Sequence, residues 1–259
     1  MSNRTVMITG ASDGIGRELA RVMAREGWRL ILVARRKERL DALAAELAPG
    51  HVRVIVCDLS MENAAQTLVA ELGDDAKRVD ALVNNAGLGL HDIFWESELH
   101  SLRSMMRVNM EALTELSRLI IPSMISRGHG YIVNIASVAS FQPGPLMAVY
   151  YATKAYVLSF TEALAVELRG TGVSTTAICP GPTKSGFQEV AGTDKAPGMS
   201  GTRIPDSREV AGFTYRMMLR RRTVAVHGVL FRILVFVERF LPRGLVARLV
   251  GRFQSVRST

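Results

Sequence analysis

The segment TVMITGASDGIG at residues 5–16 places an apolar strand directly before a glycine-rich turn. Its first five residues have the largely apolar composition of a strand that is buried on both faces. Gly10, Gly14 and Gly16 then permit a tight turn in which backbone N–H groups approach a ligand closely. A helix predicted over Gly14–Arg25 adds the partial positive charge of its N-terminus at the same point. The segment therefore predicts a site for a dinucleotide pyrophosphate, although its Gly-x-x-x-Gly-x-Gly spacing differs from the commoner Gly-x-Gly-x-x-Gly.

Strand and helix patterns alternate through the first 180 residues. The predicted strands are Thr5–Thr9, Arg29–Ala34, Val52–Cys57, Ala81–Asn84, Tyr131–Ala136 and Val173–Cys179, with Thr223–Val226 as a last edge strand. The predicted helices include Gly14–Arg25, Lys37–Leu47, Leu99–Ser126 and Tyr150–Leu168. Strands that alternate with helices form a parallel sheet through right-handed crossovers. We therefore predict a single α/β domain over residues 1–259, a doubly wound parallel sheet of Rossmann type with helices on both faces.

The composition is that of a folded protein from a reducing compartment. Of the 259 residues, 48% are hydrophobic, which excludes a mostly disordered chain. Cys57 and Cys179 cannot form a disulfide framework, and the N-terminal MSNRTVMITG lacks the charged region and long apolar core of a signal peptide. We therefore predict a cytoplasmic protein. No Cys or His side chains have the spacing of metal ligands, so we predict no catalytic metal.

The net charge of +8 is concentrated in the C-terminal quarter of the chain. Residues 203–259 carry twelve Arg against three acidic residues, a balance of +9, whereas the first 202 residues carry 20 basic and 21 acidic side chains, a balance of −1. A positive field confined to one quarter does not favour nucleic-acid binding, and we predict no nucleic-acid partner. The triplet at 220–222 is interpreted as a solvated corner.

Basic residues follow the second strand at the position that distinguishes NADP from NAD. A carboxylate there binds the ribose 2′-hydroxyl of NAD, whereas Arg35 and Arg36 suit the 2′-phosphate of NADP, because a guanidinium binds phosphate in a bidentate manner. Arg17 is a further candidate, and Lys37 is better explained as a solvated charge that opens the next helix. We therefore predict NADP (NADPH) as the cofactor, with NAD less favoured. The other predicted cofactor contacts in the turn and after later strands are Ser12, Asp13, Ile15, Asp58, Leu59, Asn85, Ala86 and Gly87.

Tyr150 and Lys154 lie four residues apart at the start of a predicted helix and so share one face. A neighbouring ammonium favours the phenolate, so we expect the pKa of Tyr150 to lie below its usual value of about 10. Tyr150 would then exchange a proton near neutral pH as a general acid and base. Tyr151 lies only three residues from Lys154 and is the weaker candidate.

Two polar residues complete the candidate catalytic set. Ser137 follows the strand Tyr131–Ala136, where its hydroxyl could hydrogen-bond a substrate carbonyl, whereas Ser140 is interpreted as a turn residue. Asn109 lies inside a long apolar helix, where a buried amide requires hydrogen-bond partners. It either connects to Lys154 through a water as a proton path or is a core residue satisfied by its neighbours.

In combination, these motifs resemble the short-chain dehydrogenase/reductase family over about residues 5–185. The motifs that occur in the order of the family are TGASDGIG at 9–16, NNAG at 84–87, Asn109, Ser137, Tyr150 with Lys154, and Pro180-Gly181. The resemblance implies a catalytic tetrad of Asn109, Ser137, Tyr150 and Lys154. Lys154 would also hold the nicotinamide ribose, and Ser137 would orient the substrate oxygen.

The resemblance also implies contacts beyond the glycine-rich turn. Arg35 corresponds to the basic residue of NADP-preferring members, and residues 180–183 would border the nicotinamide, with Thr183 beside its amide. Pro182 and Ser185 depart from the family pattern, which more often has a β-branched residue and Thr. The tail is similar to a bacterial subgroup of DltE-like oxidoreductases. Family members often pair their long helices, which implies a homodimer or homotetramer.

The last third of the chain departs from the strand–helix alternation. Residues 180–206 are rich in Pro and Gly and predict a mobile lid over the substrate. Residues 207–259 form a basic amphipathic extension, in which Val229–Leu241 is too short and too charged to span a bilayer and Leu245–Phe253 continues the pattern. These Arg-rich helices either pack on the substrate pocket or another subunit, or make a peripheral membrane contact, which would leave the protein membrane-associated.

These observations predict an oxidoreductase that transfers a hydride between NADP(H) and a carbonyl or alcohol substrate, with Tyr150 transferring the proton. The candidate pocket residues, which favour an apolar small-molecule substrate, are Phe141, Leu146, Met147, Phe187 and Met199. A reductase of β-ketoacyl or other lipid-like chains is the alternative enzyme. A catalytically silent NADP-binding sensor or scaffold is the alternative from another class, although it would not need Tyr150 and Lys154 together.

Overall fold

A computed structural model describes residues 4–47, 51–192 and 204–254. Within these ranges, seven parallel strands form one sheet in the order β3-β2-β1-β4-β5-β6-β7. The strands are β1 (Thr5–Thr9), β2 (Arg29–Ala34), β3 (Val52–Val56), β4 (Val79–Asn84), β5 (Gly130–Ile135), β6 (Val173–Cys179) and β7 (Val224–Val226). This order confirms the doubly wound parallel sheet predicted from the sequence. Strands that are apolar throughout require cover on both faces of the sheet.

Helices provide that cover in two layers. The α-helices of the described ranges are α1 (Gly14–Arg25), α2 (Lys37–Glu46), α3 (Ala64–Leu72), α4 (Leu99–Met106), α5 (Ala112–Ser126), α6 (Ala148–Glu167), α7 (Gly186–Ala191), α8 (Ser207–Leu219), α9 (Val229–Glu238) and α10 (Arg243–Gln254). On one face α1, α2 and α8 bury Leu19, Leu40 and Met218 against the sheet. On the other face α3, α5 and α6 bury side chains such as Leu68 and Val157.

The strand order reverses between β1 and β4. At such a reversal the loops after the two strands separate and leave a cleft at the carboxyl edge of the sheet, where open α/β proteins bind ligands. The glycine-rich turn follows β1 and the NNAG motif follows β4, so both lie at this edge.

Buried amides hold α6 against the sheet. Asn84 Nδ2 of β4 donates to Asn134 Oδ1 of β5 at 2.9 Å, and Asn134 Nδ2 donates to Thr161 Oγ1 of α6 at 2.9 Å. All three side chains are buried, where an unmade hydrogen bond would cost about 1–3 kcal/mol. The helix that carries Tyr150 and Lys154 is therefore fixed in register with the cleft.

The helical stretch predicted over Leu99–Ser126 is confirmed in extent, but it is not one regular α-helix. The structure divides it into α4 and α5 with a π-helical turn at Arg107–Glu111 between them. A π turn inserts one residue into the helical ladder and turns a side chain to a new direction. The inserted turn contains the buried Asn109.

The beginning and the end of the segment predicted as a lid are hydrogen-bonded to each other. Lys184 N donates to Pro205 O at 3.0 Å, and Ser207 Oγ donates to Lys184 O at 2.7 Å. The short helix α7 follows Lys184 in the chain. Residues 193–203, including the pocket candidate Met199, lie outside the described residues. A lid function for residues 180–206 stays a prediction. Across the described ranges, no helix has the length and apolar character needed to cross a bilayer.

Candidate active site

A cavity of about 550 Å³ opens at the carboxyl edge of the sheet, where the strand order reverses. The sequence-predicted site residues that line it are Gly10, Ser12, Asp13, Gly14, Ile15, Arg35, Arg36, Asp58, Leu59, Asn85, Ala86, Gly87, Ser137, Tyr150, Lys154, Pro180, Gly181 and Thr183. Gly16, Arg17 and Asn109 lie outside the lining. The structure therefore brings the glycine-rich turn, the arginines and the proposed proton-transfer residues to one cavity.

The glycine-rich turn is closely packed against the NNAG loop. Gly10 and Gly14 have positive φ angles of 66° and 51°, which side chains rarely adopt. Asn85 Nδ2 donates to Thr9 O at 2.9 Å and to Gly10 O at 3.1 Å, so it joins the two loops that flank the cleft. Asp13 caps α1 by accepting from Gly14 N at 2.7 Å. The turn is therefore held against the NNAG loop by close contacts that a Cβ atom at Gly10 would disrupt.

We expect Gly16→Ala to destabilise the fold by about 1–3 kcal/mol, because an added Cβ would lie 2.5 Å from Gly10 O. The matched control is Gly212→Ala in α8, where the nearest atom to an added Cβ is Arg216 Nη1 at 3.4 Å. That helical change should stabilise the protein by about 0.5–1 kcal/mol. Urea unfolding of both variants measures the difference, and equal stabilities would contradict the close packing inferred here.

Three guanidinium groups line one end of the cavity. Arg35 Nη1 lies 3.6 Å from Asp58 Oδ2, and Arg36 Nη2 lies 3.2 Å from Ser12 Oγ. Arg39 was not among the predicted cofactor contacts, but it lines the cavity from α2 with Nη1 3.1 Å from Asp13 Oδ2. Because Arg39 lies one helical turn after Arg36, the spacing of the two residues already indicates that they share a face of α2.

Arg17 is placed differently from the arginines at this end. Its Nε lies 3.6 Å from the Glu18 carboxylate, and its side chain is absent from the cavity lining. The arrangement offers Arg17 an ion pair on α1 and gives no support to a phosphate contact.

Asp58 remains an acceptor in the cavity wall. Burial raises the pKa of its carboxyl, but hydrogen bonds from Ser60 N at 2.9 Å and Ser60 Oγ at 2.7 Å, together with the charge of Arg35, leave the pKa below its usual value. An ionised carboxylate at this point is suited to accept a hydrogen bond from an amino group of a bound base.

Tyr150 and Lys154 are both buried in the cavity wall. Tyr150 hydrogen-bonds with Ser137, and Lys154 Nζ donates to Ile135 O at 2.7 Å. The ammonium also lies 5.8 Å from the centre of the Tyr150 ring. Three of the predicted catalytic side chains, Ser137, Tyr150 and Lys154, therefore lie together.

The expected lowering of the Tyr150 pKa is wrong in this structure. Burial raises the pKa of Tyr150 to about 12, and the hydrogen bond with Ser137 offsets only part of that rise. Burial also lowers the pKa of Lys154 to about 8. Desolvation dominates because the side chains are 9% and 5% exposed and the ammonium donates to a backbone carbonyl rather than to the phenol. Tyr150 is therefore a protonated acid at neutral pH.

Asn109 is satisfied entirely by protein groups. Its Nδ2 donates to Leu88 O and to Thr153 Oγ1, each at 2.9 Å, and its Oδ1 accepts from Leu88 N at 2.9 Å. The interpretation as a core amide satisfied by its neighbours fits these contacts. Through them the amide fixes the loop after β4 against α6, which carries Tyr150.

Comparison with known proteins defines the family. The family model for short chain dehydrogenases matches residues 4–196. The chain belongs to this family. A sulfoacetaldehyde reductase of Chromohalobacter salexigens is 42% identical over 74% of this chain and 77% of its own length. The ketoacyl reductase HetN of Nostoc is 35% identical over 80% of this chain and 73% of its own.

A solved relative extends the likeness to nearly the whole chain. The structure of a short-chain dehydrogenase from Sphingobium yanoikuyae in complex with NADPH covers 99% of this chain and 100% of its own, with 32% identity and a TM-score of 0.81. This chain is therefore an oxidoreductase-family protein with a nicotinamide-binding fold. The narrower resemblance to DltE-like proteins stays a prediction.

In this short chain dehydrogenase the cavity continues past Tyr150 into an apolar end. Phe187 lies with its ring centre 5.5 Å from that of Tyr150, and Met147 is buried beside them. Of the predicted pocket residues, Met147 and Phe187 line the cavity, whereas Phe141 and Leu146 do not. Phe141, at the end of the short turn Val138–Phe141, instead packs on the buried cluster between α6 and β6.

The C-terminal helix supplies part of this end, which sequence reasoning missed. Gln254 Nε2 donates to Tyr151 Oη, and its backbone oxygen lies 3.2 Å from His91 Nε2. Phe253, Gln254, Tyr151 and His91 all line the cavity. His91 and Gln254 lie 163 positions apart in the chain, so no local sequence pattern predicts their contact.

Proposed function

We propose that this short chain dehydrogenase interconverts a carbonyl compound and an alcohol, with NADPH as the hydride donor in reduction and NADP⁺ as the hydride acceptor in oxidation. The observation that carries the proposal is a buried phenol, Tyr150, hydrogen-bonded with Ser137 in the same cavity as the glycine-rich turn. A buried, protonated acid beside a hydroxyl donor is suited to a carbonyl oxygen that gains a proton. The alternative of a silent binder leaves these buried polar groups without a role.

The residues at the other end of the cavity fit NADPH. Gly10 and Gly14 line the cavity without side chains at the start of α1, where a pyrophosphate can approach the backbone and the helix N-terminus closely. Arg35, Arg36 and Arg39 would hold the 2′-phosphate, and Asp58 would accept from the adenine. When bound, NADPH supplies the hydride. Pro180, Gly181 and Thr183 would border the nicotinamide, in keeping with the family resemblance.

The side chains around Tyr150 have distinct roles in the proposal. In reduction, the Tyr150 O–H bond breaks and its proton passes to the substrate oxygen, which Ser137 holds by a hydrogen bond. Lys154 stabilises the resulting phenolate with its positive charge. Asn109 positions the loop after β4 through the two bonds to Leu88.

The substrate of this enzyme is apolar in our proposal, and the chain assembles into a homodimer or homotetramer. The apolar side chains of Met147 and Phe187 beside Tyr150 support an apolar substrate. Leu119 and Ile125 on α5 and Tyr156 and Val166 on α6 are exposed, which supports pairing of these helices between subunits.

The direct experiment is a turnover assay with the purified chain. Loss of NADPH absorbance is followed with cyclohexanone, acetophenone and methyl nonyl ketone, each against a sample without ketone. Ketone-dependent oxidation of NADPH supports the enzyme, and binding of NADPH without turnover of any ketone in the panel favours the silent sensor.

The rate of ketone reduction should stay constant through neutral pH and fall above about pH 8, approaching tenfold per pH unit. Lys154, with a pKa of about 8, loses its charge there, whereas Tyr150, with a pKa of about 12, keeps its proton. In Lys154→Arg the charge persists to higher pH, so the residual activity should lose this alkaline limb. A limb unchanged by Lys154→Arg would assign the titration to another group.

A further inference from the structure

Helices α9 and α10 carry a concentrated, exposed apolar surface. Among the described residues, 22 large hydrophobic side chains are exposed, and 11 of them belong to Val229–Phe253, which we call the apolar patch. Phe236 is 59% and Phe240 is 73% exposed. Of α9 only Val235 is buried. A helix that is apolar on nearly every side requires cover, since water is a poor solvent for it.

The same two helices are strongly basic. Five exposed arginines lie in this stretch against one acidic residue, Glu238, which gives a balance of +4. They are Arg232, Arg239, Arg243, Arg248 and Arg252. Exposed apolar side chains interleaved with arginines are the composition of helices that lie in the interface of an anionic bilayer.

The apolar patch reaches the cavity at α10, and α9 packs directly behind the cavity lining. Phe253 of α10 is 67% exposed and also lines the cavity. From α9, Phe231 packs against Gly181, where an added Cβ would lie 2.5 Å from its Cζ. Helix α10 thus forms part of the cavity wall, and α9 supports that wall at Gly181.

We infer that α9 and α10 dock this enzyme on an anionic membrane surface, and that its substrate is a lipid-like carbonyl compound drawn from that surface. The substrate class rests on the proposed function, whereas the docking does not. The arginines contact lipid phosphates, and the exposed side chains of α9 enter the acyl boundary. Phe253 then continues the apolar surface from the bilayer to the cavity.

A second copy of the chain could also cover the apolar patch, but the charge of the patch favours a membrane surface. A two-fold interface apposes the same patch on both subunits. Two patches of +4 each would repel one another, while phosphate headgroups neutralise them. The charge of the patch therefore favours lipid.

Vesicle co-sedimentation of the full chain tests the docking. The probes are vesicles of phosphatidylcholine alone and vesicles with about 30% phosphatidylglycerol. We expect binding to the anionic vesicles, weakened by salt, and at least tenfold weaker binding of the double variant Arg243→Glu/Arg248→Glu. The matched control, Arg220→Glu/Arg222→Glu, makes the same charge change on exposed residues outside the patch and should bind as the parent does.

Three results would overturn the docking: equal affinity for both vesicle types, no affinity for either, or equal losses in the two charge variants. Phe236→Ser/Phe240→Ser should also lose vesicle binding. The proposal fails if the parent is an oligomer that does not bind vesicles and this variant elutes as a monomer in size-exclusion chromatography. In that case a second copy of the chain covers the patch.

Turnover separates the substrate class from the docking. With methyl nonyl ketone dissolved in anionic vesicles, Arg243→Glu/Arg248→Glu should be at least fivefold slower than the parent, and with soluble cyclohexanone it should be unchanged. Turnover of cyclohexanone without turnover of the vesicle-borne ketone would overturn the lipid-like substrate. Turnover of neither ketone would count against the proposed function, while vesicle binding would still decide the docking.

Discussion

Replacing Tyr150 with Phe should lower kcat for ketone reduction by about a thousandfold, within the 10²–10⁴ that a positioned general acid contributes. The variant loses only the hydroxyl that hydrogen-bonds with Ser137. The carbonyl oxygen must then take its proton from water. Binding of NADPH should change by less than about twofold, because the phosphate-binding groups lie at the other end of the cavity. Single-turnover kinetics and a fluorescence titration with NADPH measure the two quantities.

The neighbouring tyrosine provides the matched control. Tyr151→Phe removes the same atom from the next residue, whose hydroxyl accepts from Gln254. Tyr151 also lines the cavity, so a loss of up to about tenfold through the position of α10 is expected. If both variants retained the parent rate, or if Tyr151→Phe were the more damaging, Tyr150 would not be the proton donor.

The sheet and the placement of the main motifs were predictable because their signals are local. β1 runs directly into the glycine-rich turn, and its apolar composition alone indicates a central strand. Tyr150 and Lys154 share a face of α6 through helical spacing. The partner of the Asn109 amide was not predictable in this way, since Leu88 lies 21 residues away in the chain.

Electrostatics was the less predictable part of the site. The spacing of Tyr150 and Lys154 indicated attraction, but the sign of the Tyr150 pKa shift depends on burial by Phe187 and other distant residues. The C-terminal wall formed by Gln254 escaped prediction for the same reason. Such contacts arise from the assembled fold and leave no period or motif in the sequence.

Replacing both Arg35 and Arg36 with Ala should weaken NADPH binding by about a hundredfold and NADH binding by less than about threefold. Each charge-assisted hydrogen bond contributes about 1.5–3 kcal/mol, and a factor of ten corresponds to about 1.4 kcal/mol. NADH lacks the 2′-phosphate and so loses little. Arg39 still lines the cavity in this variant and limits the loss. Calorimetric titration with each nucleotide measures both affinities.

The control for charge alone is Lys37→Ala, next in the chain after Arg36. Lys37 pairs with Asp41 on the exposed side of α2, with 64% of its side chain exposed, and is absent from the cavity lining. Its removal should leave both nucleotides bound as in the parent, because the pair is solvent-screened.

Arg39→Ala should weaken NADPH binding about tenfold, since its guanidinium is held over the turn by Asp13. Equal losses for NADPH and NADH in the arginine variants would show that these side chains support the fold of the turn and do not recognise the phosphate.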